Sequence, residues 1–158
     1  MSDNDARFQD ARSGPLRLKA LDPDDLQVVS SLCQDAVFPM SEMTWDRPQR
    51  RFGLLLNRLR REDPRVQGAR DVERVRSVLV VEDVMSIRTQ GIDRADKDTI
   101  CALLSISLEP GEDGGGRLLF TLAGDGAIEL TVEALEATLR DVTRPYIAPS
   151  GKLPGHDI

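Results

Sequence analysis

The chain has 158 residues, of which 40% are hydrophobic, 4% aromatic and 30% charged, with a formal net charge of −6. That length suits a single domain with a sizeable core, the hydrophobic share is too high for a disordered chain, and no run reaches the roughly 18 apolar residues of a membrane-spanning helix. The polar, acidic start (Asp3, Asp5, Asp10) is neither a secretory signal nor an Arg-rich transit peptide, and Cys33 and Cys101 lie far apart with no C-x-x-C spacing, which gives disulfide and zinc frameworks little support, so a cytoplasmic protein is expected.

In chain order, residues 1–15 read as a flexible arm hinged at Ser13-Gly14-Pro15, and 16–21 alternate as a short strand. Asp22-Pro23-Asp24-Asp25 announces a helix, with Asp22 as cap, Pro23 at the first helical position and two acids near the positive dipole end. Leu26, Val29, Cys33 and Ala36 share its apolar face, which makes Cys33 a core residue. Residues 40–45 alternate as a strand, and Asp46-Arg47-Pro48-Gln49 supplies turn chemistry. The next run, 50–61, fits two patterns: a strand with Phe52, Leu54 and Leu56 on one face, or a basic amphipathic helix. Gly53 in its interior and the preceding turn favour the strand, paired as a hairpin with 40–45.

Residues 62–73 lack periodicity and read as an exposed loop. The run 75–87 is long for one strand, so a bend near Glu82-Asp83 is expected, with Val75, Leu79, Val81, Met85 and Ile87 on one parity. Ala102, Leu104, Ile106 and Leu108 outline another strand face. Leu118, Phe120 and Leu122 outline the next, and Gly124-Asp125-Gly126 turns the chain into Ile128 and Leu130. Leu135, Leu139 and Val142 predict a closing helix over 132–142, and 148–158 read as a tail. The expected fold is α+β: a mainly antiparallel curved sheet or partly open barrel of about seven strands, with an early helix and a C-terminal capping helix. That order is similar to a pleckstrin-homology-like sheet, from which the early helix departs. The expected division is an arm over 1–15, a single domain over 16–147 and a tail over 148–158.

The stretches MSEMTWDRPQRRFGLLLNR (40–58), VLVVEDVMSIRTQGIDR (78–94), LLSISLEPGE (103–112) and GDGAIELTVEALEATLRDV (124–142), with the terminal PGHD (154–157), resemble a bacterial family catalogued as domain of unknown function 2948. The resemblance implies a cytoplasmic single-domain protein and transfers no catalytic residue.

The chemistry-bearing residues give little support for catalysis. The sole histidine, His156, lies in the tail, away from any base-orienting framework. Gly124-Asp125-Gly126 lacks the third glycine and following helix of a dinucleotide fingerprint. Glu109, Glu112 and Asp113 lack calcium-loop spacing. No cofactor or metal is therefore expected.

Charge distribution is more informative. Residues 47–76 hold ten arginines and four acids, while the flanking stretches are acidic. Arg50, Arg51, Arg58, Arg60, Arg61, Arg74 and Arg76, with Trp45, form the candidate partner surface. The competing expectation is a solvated sheet face whose arginines pair with the chain's own acids. A protein partner ranks first, an anionic ligand or lipid headgroup second, and an enzyme last. Nucleic acid is disfavoured, because the pI is about 4.8 and few aromatic side chains accompany the arginines. Homo-oligomerisation remains compatible.

Overall fold

The computed structural model describes residues 15–60 and 73–147. The chain builds β1 (Arg17–Ala20), helix α1 (Pro23–Cys33), β2 (Val37–Pro39), β3 (Met43–Asp46), β4 (Arg51–Leu59), β5 (Glu73–Val81), β6 (Val84–Gln90), β7 (Ile100–Pro110), β8 (Gly116–Leu122), β9 (Ala127–Val132), β10 (Ala137–Asp141) and β11 (Tyr146–Ile147). The fold is a mostly antiparallel α+β arrangement with one α-helix among the described residues. Strands follow the order β1-β10-β5-β4-β2-β7-β8-β9-β6, with β3 added to β4 and β11 to β5. The path has two ends, so the sheet is open.

The early helix forms for the reason its sequence gives. The Asp22 carboxylate accepts from the Asp25 backbone N–H at 2.8 Å, and Pro23 opens the first turn. Leu26, Val29, Leu32 and Cys33 bury one side of the helix, chiefly against β7 and β1. The Ser30 hydroxyl accepts from the Ile106 N–H at 2.8 Å. The two parts of the sheet share this core: Phe52 on β4 and Phe120 on β8 meet edge to face with centroids 5.7 Å apart. The hairpin of β3 with β4 is present, with Trp45 opposite Phe52. Between β8 and β9, Gly124 and Asp125 both take positive φ (78° and 67°), as a tight antiparallel turn requires.

Several expectations are corrected. The sheet has eleven strands rather than about seven, because β2, β10 and β11 are additional and the 75–87 run divides in two. That division falls at Glu82-Asp83, as expected. Asp83 at φ 56° resets the alternation, so Val84 turns inward and Met85 is left 55% exposed.

The capping helix over 132–142 does not form: Ala137–Asp141 is instead an interior strand between β1 and β5, with Leu139 opposite both Leu18 and Leu79. Its Ala-, Glu- and Leu-rich sequence favours a helix locally, and pairing on both edges overrides that propensity. The capping helix that motivated the pleckstrin-homology-like order is thus absent. On β7, a bulge between Leu103 and Ser105 swaps faces, so Cys101 and Leu103 are buried while Leu104 is 41% exposed; beyond the bulge Ile106 points inward as expected. The 1–14 part of the arm, the 62–72 part of the loop and the 148–158 tail lie outside the described residues.

Candidate functional site

Side-chain alternation along β4 and β5 divides the expected arginine cluster into two populations. Phe52, Leu54, Leu56 and Arg58 of β4 pair with Val81, Leu79, Ser77 and Val75 of β5 on the inner face. Arg58 is therefore inside the protein, at 0% exposure. Its Nη2 donates to Asp141 Oδ1 at 2.8 Å and its Nε to Ser77 Oγ at 2.9 Å. The Ser77 hydroxyl donates to the same Asp141 oxygen at 2.7 Å, while Asp141 Oδ2 accepts from the Leu16 N–H at 2.8 Å. The resulting network joins β4, β5 and β10 to the residue that leads into β1. Each buried charge is paired and hydrogen-bonded, the condition under which burial is tolerated.

Other members of the cluster are also engaged. Arg60 pairs with Glu73 at 3.1 Å. Arg74, only 5% exposed, donates to the Asn57 carboxamide oxygen and backbone carbonyl, and Asn57 in turn donates to the Tyr146 hydroxyl. Arg50 sits at the corner beside the start of β6 and donates to Glu133; that hydrogen bond, with the charge behind it, holds its guanidinium pKa above the usual value. Trp45 is half-buried against the core. Arg61 lies outside the described residues.

Arg51 and Arg76 belong to the outer face, and the strand order brings them onto the same surface as residues that the sequence pattern did not single out. Arg17 of β1 is directly opposite Arg140 of β10, and Arg140 is directly opposite Val78 of β5. The Asp141 N–H donates to the Leu16 carbonyl and the Val142 N–H to the Arg76 carbonyl. By antiparallel alternation, 17 and 140 then form a non-hydrogen-bonded pair, whose α-carbons are only about 4.5 Å apart. Like charges directly opposite each other disfavour the sheet. Neither Arg17 nor Arg140 has an ionic or hydrogen-bonding side-chain partner among the described residues, and the same holds for Arg76.

Arg17, Arg51 and Arg140 rim an open groove of about 260 Å³ lined also by Val78, Val80, Glu82 and Thr138. Its acid, Glu82, is engaged by Arg51 Nε, which lies 3.1 Å from both carboxylate oxygens. Across Val78 and Leu55 the surface continues into a second groove of about 210 Å³, whose lining includes Val37, Leu55, Asn57, Arg76 and Ile100. The face thus combines cationic side chains, of which Arg17, Arg76 and Arg140 have no side-chain partner among the described residues, with an apolar floor, and Glu42 joins Arg76 in lining the second groove.

The other polar candidates behave differently. Glu109 is held by Arg117, which also bonds Glu129. No group of three potential metal ligands converges among the described residues. Cys33 and Cys101 are both buried free thiols, and burial pushes the Cys101 pKa up, away from thiolate. No helix among the described residues is long and apolar enough to cross a membrane.

Residues 16–156 match the family described as Protein of unknown function (DUF2948), and the chain belongs to it. No curated protein and no solved structure matches the chain.

Proposed function

We propose that this protein is a non-catalytic cytoplasmic binding module that engages an acidic protein partner through the outer face of β1, β10, β5 and β4. The observation that carries this reading is the directly opposed pair Arg17 and Arg140, a like-charge arrangement that an anionic partner would convert from a liability into a binding element. Arg51 and Arg76, both from the basic 47–76 stretch, extend the cationic surface. A lipid headgroup would satisfy the same charges. The apolar floor of Val78, Val80 and Leu55 lies between them and better matches a peptide segment carrying apolar as well as acidic side chains.

The test is fluorescence anisotropy with a labelled nonapeptide alternating Glu and Asp around a central Trp, in low and moderate salt, beside a lysine-substituted control. Preferential binding of the acidic peptide, weakened by salt and lost in the Arg17→Gln/Arg140→Gln variant, supports the reading. Equal binding by the parent and the folded variant removes this face from the account.

A further inference from the structure

On the same outer face, β4 carries a glycine for which the fold supplies no reason. Gly53 pairs with Val80 on one side and Thr44 on the other, in the interior of a nine-residue strand. Its φ is not in the left-handed region, and a Cβ built on it would meet nothing within 4 Å. Neither backbone conformation nor crowding therefore requires glycine here. Glycine within a strand weakens it and often marks a place where something outside the strand approaches closely. The missing side chain leaves a dimple in the apolar floor between Val80 and Leu55.

Resting on the binding reading above, we infer that this dimple receives one bulky apolar side chain of the acidic partner segment, an aromatic ring being the side chain that can lie flat over the bare Gly53 backbone and reach Val80 and Leu55 beside it. The geometry is self-consistent. Gly53, Val80, Thr138 and Lys19 lie in one row across four adjacent strands, which places the dimple about 14 Å from β1 by strand spacing. A segment lying across the strands spans that distance with about four extended residues. Its acids then reach Arg17 and Arg140 while its ring sits over Gly53. Charge complementarity supplies orientation, and the buried ring supplies affinity, as aromatic anchors commonly do at interfaces.

Two nonapeptides, one with Trp and one with Ala at the centre of the same Glu/Asp sequence, test the inference by anisotropy. The parent protein is expected to bind the Trp peptide at least about tenfold more tightly than the Ala peptide. Gly53→Ile fills the dimple and is expected to abolish that preference while leaving the weaker, salt-sensitive binding of the Ala peptide. Gly53→Ala, the smaller filling, falls between them, and an unchanged or raised melting temperature shows that both variants are folded. Equal binding of the two peptides by the parent, or an undiminished Trp preference in folded Gly53→Ile, overturns the inference. If both peptides bind equally and both are lost in Arg17→Gln/Arg140→Gln, the anchor site falls and the electrostatic reading stands. If the parent binds neither, both fall.

Discussion

Arg58 and Arg140 are close neighbours in the strand order and opposite in circumstance. Arg58 points inward, fully buried, with Asp141 and Ser77 holding its guanidinium. Arg140 is adjacent in sequence to that same Asp141, yet points outward, exposed and facing Arg17. One residue step along β10 separates an acid that fixes a buried cation from a cation without a described partner. The contrast teaches that arginine density along a chain does not define a surface. Strand parity, together with local cover such as that over Arg74, separates the arginines engaged by the chain's own side chains from Arg17, Arg76 and Arg140, which have no ionic or hydrogen-bonding side-chain partner among the described residues.

The largest expected effect is on the inner side. Asp141→Ala removes the buried carboxylate that holds Arg58 and Ser77 and releases the Leu16 N–H, so a loss of about 3–5 kcal/mol is expected from urea denaturation. A loss below 1 kcal/mol would mean that Arg58 escapes to solvent and that the two arginine populations are not distinct. Ser77→Ala removes one hydroxyl from the same network and is expected to cost about 1–2 kcal/mol by the same measurement. Changes on the outer side should have the opposite sign. Gly53→Ala restores an ordinary strand residue with space for its Cβ and is expected to stabilise by about 0.5–1 kcal/mol in thermal or urea unfolding. Destabilisation would show that the fold itself needs this glycine and would blur the boundary between faces.

Much of the architecture is legible along the chain. Asp22-Pro23 announces the helix, and the alternation of Phe52, Leu54 and Leu56 identifies β4. The break at Glu82-Asp83 marks the passage from β5 to β6. What is not legible depends on pairing. Residues 137–141 carry inward Ala137, Leu139 and Asp141, and the acid at a core position hides their period-two pattern. Its meaning appears only when Arg58, 83 residues earlier, is placed beside it. The bulge in β7 and the left-handed Asp83 likewise shift parity locally, where periodicity has no record of them.

The candidate site was hidden for the same reason. Arg51 and Arg76 stand out in the basic stretch, but Arg17 and Arg140 come from flanking acidic stretches that composition discounts. Reading 132–142 as a helix assigns Arg140 to its C-terminal end. The observed strand makes it a cross-strand neighbour of Arg17.

The smallest energetic change is the most discriminating. Arg140→Glu converts the like-charged pair with Arg17 into an opposite-charged one on the same cross-strand position. Its urea midpoint and its affinity for the acidic Trp peptide, measured on one preparation, test the central claim most directly. The account predicts a stability gain of about 0.2–1 kcal/mol together with a loss of peptide binding. A stability loss with peptide binding retained would contradict it, and would return Arg140 to the arginines that hold the fold.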